Sequence, residues 1–141
     1  MVIDDDAPWH FNMIIPADPV AIPQVTDGVT EILQRNGWPG DRVMAVELAL
    51  QEALANAIRH GCRNEPSRQV QCVVTVDTAG ELVIVVRDPG PGFEVGRVAN
   101  PLDPENVLKP NGRGIFLINQ LMDRVDFKDG GRVVEMRKKK I

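Results

Sequence analysis

One stretch of the sequence limits the possible folds more than any other: the run Leu82-Val83-Ile84-Val85-Val86, with Asp88-Pro89-Gly90-Pro91-Gly92 just after it. A continuous apolar run rich in β-branched residues predicts a central strand that is buried on both faces, or nearly so. The prolines and glycines that follow forbid both a helix and a strand ladder, so the strand must end in a rigid loop. The chain therefore has to build a sheet around residues 82–86.

The neighbouring segments supply partners for this strand. Residues 70–77 and 81–87 are separated by Thr78-Ala79-Gly80, which predicts a hairpin. Residues 125–127 and 133–136 flank Lys128-Asp129-Gly130-Gly131 and predict a second hairpin. Residues 10–15 alternate in polarity and stop at a proline, which is typical of an edge strand. A sheet made mainly of antiparallel strands follows.

Three helices are expected beside the sheet. Apolar residues recur at helical spacing from 19 to about 36, where Asn36-Gly37 ends the segment. The second helix runs from Asp41, a good N-cap, to His60 and is ended by Gly61. Gly112-Arg113-Gly114 opens the third. The buried arc of the second helix is expected to consist of Val43, Val46, Leu50, Ala53, Leu54, Ala57 and Ile58.

Together these elements predict an α+β fold: a two-layer α/β sandwich whose mixed, mainly antiparallel sheet is covered by helices on one face. The 141 residues suit a single domain, with a short acidic head at about 1–8, a basic tail at 137–141 that we expect to be solvated, and a lid at 94–111. We expect a cytoplasmic protein with reduced Cys62 and Cys72, because no apolar run of about 18 residues or export signal is found. The net charge of −4 argues against direct nucleic-acid binding.

The candidate chemistry lies in three motifs that are individually weak. Glu52 and Asn56 lie four residues apart on the helix side opposite the apolar arc, where a solvated face is the simpler explanation. Asp88 with its glycines can be a structural loop, and glycine before a helix can serve close packing. Their order along the chain makes chance a poor explanation for all three.

At this point the sequence resembles the histidine-kinase-like ATPase superfamily, and within it the small anti-sigma-factor serine kinases of bacteria. Residues 52–61, Glu-Ala-Leu-Ala-Asn-Ala-Ile-Arg-His-Gly, are similar to their asparagine box. Residues 88–93 and 111–117 are similar to their first and second glycine boxes. The resemblance covers roughly residues 8–138 and implies the ATP-binding sandwich known as the Bergerat fold.

The resemblance also implies roles for individual residues. Asn56 would hold Mg²⁺ through its amide oxygen, and Asp88 would accept a hydrogen bond from the adenine amino group of ATP. Glu52 would be the general base. Gly90 and Gly92 would let the backbone approach the base. Gly112, Arg113 and Gly114 would present backbone amides and a helix N-terminus to the phosphates. The positive charge that offsets the phosphates would come from one of four residues that the sequence leaves unranked: Arg113, Lys109, Arg59 or His60.

The function implied by the resemblance is an ATP-dependent protein serine kinase that also binds a sigma factor. Its substrate would be a STAS-type anti-sigma-factor antagonist carrying the acceptor serine, and a homodimer formed through the first helix and edge strand is a further expectation. One alternative is an ATP-binding regulatory adaptor without phosphoryl transfer, and another is an ATPase that hydrolyses ATP. One departure concerns the last hairpin, where relatives often have a threonine and this chain has Arg132.

Overall fold

The structure, a computed structural model, describes residues 9–88 and 110–141. The five strands are β1 (Trp9–Pro16), β2 (Gln69–Val76), β3 (Glu81–Arg87), β4 (Arg124–Lys128) and β5 (Val133–Lys139). The helices are α1 (Ile22–Arg35), α2 (Gly40–Asn56) and α3 (Pro110–Leu121). A 3₁₀ turn precedes α1 at Pro19–Ala21, a π-helical turn follows α2 at Ala57–Gly61, and a second 3₁₀ turn links β4 to β5 at Asp129–Gly131.

The strands form one sheet in the order β1-β2-β3-β5-β4, and every pairing among the described strands is antiparallel. Both predicted hairpins are present, and β1 lies at an edge as predicted. The core lies between one face of this sheet and the helices, which confirms the α+β two-layer arrangement.

The central strand β3 is buried on one face only. Leu82, Ile84 and Val86 are at most 1% exposed, whereas Val83 and Val85 between them are half-buried. The prediction of burial on both faces was therefore wrong. Strand β3 has a hydrogen-bonded strand on each side, and the described helices cover only one face of the sheet. The apolar run therefore marks a strand in the centre of the sheet and not a strand covered by helices on both faces.

Helix α2 carries the core of the helical layer. Every residue of its predicted apolar arc is buried, including Ala57 and Ile58 just after the helix. Helix α2 packs against both α1 and α3. The prediction of Asp41 as the N-cap was wrong: Pro39 occupies that position, and Asp41 lies in the first turn, where its charge still favours the helix N-terminus. No helix among the described residues is long and apolar enough to cross a membrane.

The end of α2 also differs from the prediction. The α-helix stops at Asn56, and the chain widens into a π-helical turn in which the amide of Cys62 donates to the carbonyl of Ala57 at 2.9 Å. Gly61 does not adopt the left-handed conformation of a helix-ending glycine. Arg63 and Asn64, with φ of 52° and 58°, reverse the chain instead. Single π turns of this kind occur frequently at functional sites.

The predicted basic tail begins inside β5. Lys138 is 11% exposed, and its ammonium group donates to the carbonyl of Leu121 at 2.6 Å, at the end of α3. A cation is favourable at a helix C-terminus, where carbonyl groups lack partners in the helix. Lys138 therefore ties α3 to the sheet instead of lying in solvent. Helix α3 itself begins at Pro110, two residues before the predicted start and within the predicted lid.

The uncovered face of the sheet carries an ion-pair network centred on Glu135. Its carboxylate accepts hydrogen bonds from Lys128 and, at 2.6 Å, from Arg137, which also donates to Glu81 at 2.8 Å. The hydrogen bond from Lys128, helped by that from Arg137, holds the pKa of Glu135 below its usual range. The network joins β3, β4 and β5 side by side.

We expect Glu135→Gln to destabilise the protein at neutral pH by on the order of 1 kcal/mol, since the ion pairs are lost. Because the pKa of Glu135 is lowered on folding, its contribution is complete well above the ordinary value of 4.5 and is lost as pH falls below it. Melting temperatures of the two proteins should therefore converge between neutral pH and about pH 3. Glu31→Gln, which breaks an exposed helical pair with Arg35, is the control with little effect. A constant difference at all pH values would contradict the prediction.

Candidate functional site

A narrow cleft opens where α2, α3, the end of β3 and the β4–β5 hairpin meet. The described residues leave a cavity of about 20 Å³ there. Ala53 and Ala57, one helical turn apart, keep the floor of the cleft free of large side chains. The remaining lining residues are Asn56, Val86, Asp88, Ile118, Phe127, Gly131, Arg132 and Val134.

Asp88 is the buried acid of this cleft. Its residue is 3% exposed, and its backbone amide donates to the carbonyl of Arg132 at 2.9 Å. That bond continues the β3–β5 pairing one residue beyond the strand, so the position of Asp88 is set by the sheet. A carboxylate removed from water in this way is costly unless its surroundings or a ligand supply hydrogen-bond donors.

Asn56 lies on the opposite wall of the cleft. It is 8% exposed, so the prediction that it lies on an exposed helix side was wrong. Periodicity places it away from the arc that faces the sheet, but α3 packs on α2, and Ile118 of α3 lines the same cleft as Asn56. The structure thus brings Asn56 and Asp88, which are far apart in sequence, to one cavity.

Glu52 lies one turn before Asn56 on α2, about 6 Å along the helix axis. It is half-buried and does not line the described part of the cleft. Side chains four residues apart on a helix are neighbours, so the Glu52 carboxylate flanks the Asn56 side of the cleft.

The other predicted site residues are distributed differently. Arg59 is exposed and His60 half-buried, and both belong to the π-helical turn rather than to the α-helix. The backbone of Gly112, Arg113 and Gly114 forms the first turns of α3. Gly90, Gly92 and Lys109 lie outside the described residues.

Two parts of the cleft were missed from the sequence. Gly131 and Arg132, from the turn between β4 and β5, line it beside Asp88. The glycines of this turn, with φ of 66° at Gly130 and 90° at Gly131, were predicted to form the hairpin turn, and the resemblance placed the position that follows them near the adenine without naming a site residue there. Phe127 on β4 adds an aromatic side chain next to Ile118 of α3. The alternation of β4 was the available signal for Phe127, since it faces the helices.

A wider, open depression of about 410 Å³ reaches Asp88 from the uncovered face of the sheet. It is lined by Ile14, Ser67, Arg68, Gln69, Gln71, Arg87 and Asp88. Asn56 does not contribute to it. The narrow cleft, which holds both Asn56 and Asp88, is therefore the candidate site.

Metal binding by this chain alone would need a cluster of suitable ligands. No group of three or more His, Cys, Asp or Glu side chains that could hold a metal ion occurs within residues 9–88 and 110–141. Asn56 offers an amide oxygen in the cleft, a hard donor of the kind that Mg²⁺ accepts alongside water and phosphate.

Comparisons with known proteins agree with this architecture. The family model described as "Histidine kinase-like ATPase domain" matches residues 15–138. A serine-protein kinase RsbW from Halalkalibacterium halodurans is 30% identical over 138 residues, covering 93% of this chain and 83% of that protein. A serine-protein kinase RsbW from Staphylococcus aureus is 26% identical over 135 residues, with coverage of 91% and 85%.

Two solved structures share the fold. The crystal structure of the RsbU and RsbW domains of a Mycobacterium tuberculosis protein superposes with a TM-score of 0.65 at 15% identity. The match covers 93% of this chain and 32% of that one, so this chain spans about a third of the longer protein. The histidine kinase domain of a blue-light activated kinase from Erythrobacter litoralis gives a TM-score of 0.53 at 20% identity, with coverage of 88% and 61%.

The burial of the two cysteines leads to a prediction about their thiols. Cys62 and Cys72 are both fully buried. Burial raises the pKa of Cys72 to about 12, and burial together with the nearby Asp88 carboxylate raises the pKa of Cys62. Because the thiolate is the reactive form, we expect neither thiol of the native protein to react with Ellman's reagent at pH 8, and both to react in guanidinium chloride. Rapid reaction of one thiol in the native protein would contradict the placement of these cysteines.

Proposed function

The chain belongs to the histidine kinase-like ATPase domain family, and on that premise we propose that it is an ATP- and magnesium-dependent protein serine kinase that also acts as an anti-sigma factor. The observation that carries the proposal is the meeting of Asn56 and Asp88 in one cleft, in a chain 30% identical over most of its length to a serine-protein kinase. Its proposed partners are a sigma factor and a STAS-type antagonist with an acceptor serine, in the cytoplasm.

Asp88 recognises the adenine base in this proposal. A buried carboxylate can only accept hydrogen bonds, and the exocyclic amino group of adenine is a donor. Burial at 3% exposure makes the match selective, since a base without that donor leaves the charge uncompensated.

Asn56 is the magnesium ligand in this proposal. A magnesium ion held there would supply positive charge to offset that of the ATP phosphates. The amide oxygen of Asn56 suits this ion, which usually takes one or two protein ligands and completes its shell with phosphate oxygens and water. Gly112, Arg113 and Gly114, near the start of α3, are proposed to bind the same phosphates. Gly90, Gly92 and Lys109 are proposed to complete the nucleotide site, with Arg59 or His60 as further sources of positive charge.

Glu52 is the proposed general base. As the serine oxygen of the antagonist forms a bond to the γ-phosphorus, the bond from that phosphorus to the bridging oxygen of ADP breaks, and the serine proton moves to the Glu52 carboxylate. The products are the phosphoserine antagonist and ADP. The half-buried position of Glu52 beside Asn56 leaves the carboxylate accessible to a hydroxyl group of a docked protein.

We expect ATP with magnesium to raise the melting temperature according to RT ln(1 + [L]/Kd), and Asp88→Asn to remove most of that increase because an amide cannot replace the anionic acceptor. Differential scanning fluorimetry with and without nucleotide measures both effects. Asp27→Asn, on the exposed side of α1, is the matched control and should keep the wild-type increase. If no adenine nucleotide stabilises the wild-type protein, the proposed nucleotide site is wrong.

We expect Glu52→Gln to keep the ATP-induced stabilisation but to lower phosphoryl transfer by about 10²- to 10⁴-fold, the usual contribution of a positioned base. The measurement is transfer of the labelled γ-phosphoryl group to a STAS-type antagonist from the same host. Glu47→Gln, on the same helix at similar exposure but turned about 140° away, should retain full transfer.

The outcome of this transfer experiment also separates the alternatives. Wild-type protein that binds ATP but transfers nothing would favour the regulatory adaptor without phosphoryl transfer. Release of inorganic phosphate without a phosphoserine product would favour an ATPase. Equal loss of ATP binding and transfer in Glu52→Gln would show that Glu52 is structural.

A further inference from the structure

Gly61 and Asp88 are packed against each other without room for a side chain on the glycine. Gly61 is buried at the end of the π-helical turn. A Cβ atom built on it would lie 2.1 Å from Cγ of Asp88 and 2.3 Å from each carboxylate oxygen. Real Cβ atoms keep at least 3.0 Å from other heavy atoms, so any other residue at position 61 displaces the carboxylate or the turn.

The backbone does not require glycine at this position. Gly61 lies outside the left-handed region, and the reversal of the chain is made by Arg63 and Asn64 at φ of 52° and 58°. Glycine in a helical turn destabilises the turn relative to alanine, because it has more conformational freedom to lose. Space for the carboxylate is the feature of the structure that accounts for the missing side chain.

Asp88 has little freedom to move away. Its backbone is held by the 2.9 Å hydrogen bond to the carbonyl of Arg132, and its side chain, a short one, is 3% exposed. The turn on the other side is held too, since Cys62 donates to the carbonyl of Ala57 and Asn64 to that of Ile58, both at 2.9 Å. The carboxylate is therefore oriented between the sheet and the π-helical turn, with its plane resting on the Cα of Gly61.

We propose that Gly61 is a positioning residue that sets the direction in which Asp88 accepts a hydrogen bond, and thereby the base selectivity of the nucleotide site. This inference rests on the proposed function, in which the Asp88 carboxylate recognises the amino group of adenine. A carboxylate rotated by an added methyl group at position 61 no longer points its lone pairs at that donor, and hydrogen bonds weaken steeply with misalignment.

The test is the ratio of the affinities for ATP and for inosine triphosphate, whose base carries a carbonyl in place of the amino group. Isothermal titration calorimetry with magnesium on the full chain gives both constants. We expect wild-type protein to prefer ATP, and Gly61→Ala to reduce that preference by about tenfold or more, as expected for loss of a hydrogen bond to a charged group. A general loss of packing would weaken both nucleotides alike and leave the ratio unchanged.

Gly28→Ala is the matched control. Gly28 lies in the middle of α1, and a Cβ there would make ordinary contacts with Phe11 at 3.7 Å and 3.8 Å. We expect this variant to keep the wild-type ratio and to melt at the same or a higher temperature, since alanine favours the helix.

If Gly61→Ala folds poorly, the same substitution in a protein that already carries Asp88→Gly still tests the inference. Asp88→Gly removes the side chain that the methyl group would meet. In the wild-type background Gly61→Ala should lower the melting temperature, and in the Asp88→Gly background it should leave the temperature unchanged or raise it. Equal destabilisation in both backgrounds would overturn the inference.

The outcomes separate this inference from the proposed function. Wild-type protein that prefers ATP, together with a Gly61→Ala variant of unchanged preference, overturns the inference alone. Wild-type protein that binds neither nucleotide overturns the proposed function and the inference with it.

Discussion

The buried carboxylate of Asp88 determines how the parts around it must be arranged. A charge that is 3% exposed is tolerated only where neighbouring groups orient it and where donors or a ligand offset its desolvation. The sheet supplies one constraint through the hydrogen bond from the Asp88 amide to Arg132, and the π-helical turn supplies the other through the bare Cα of Gly61. These two constraints meet at the end of β3, where the cleft opens.

The two faces of the sheet are stabilised in different ways because helices cover only one of them. Helices cover the face that carries Leu82, Ile84 and Val86, and the cleft opens at the border of that covered face. The uncovered face is instead stabilised by ion pairs across β3, β4 and β5, centred on Glu135. Ion pairs at this exposure add little individually, so burial against the helices provides most of the stabilisation and the network mainly aligns strands.

The sequence predicted the features that depend on local pattern. Both hairpins, the edge strand and the buried arc of α2 follow from periodicity and turn residues, and the structure confirms them. The features it did not predict depend on contacts between distant segments: Asn56 is buried, and one face of β3 lacks a covering helix among the described residues. Gly61 was interpreted as a helix end because a glycine that makes room for a carboxylate has the same local pattern. The roles assigned to Glu52, Asn56 and Asp88 remain predictions.

The bond from Lys138 to the last turn of α3 has a mechanical consequence. Its ammonium group holds the C-terminal end of this helix against β5. The glycines of α3 lie near the opposite end, which begins at Pro110. A displacement of α3 that keeps this bond leaves Leu121 beside β5, so the largest movement falls at the end of the helix nearest Pro110.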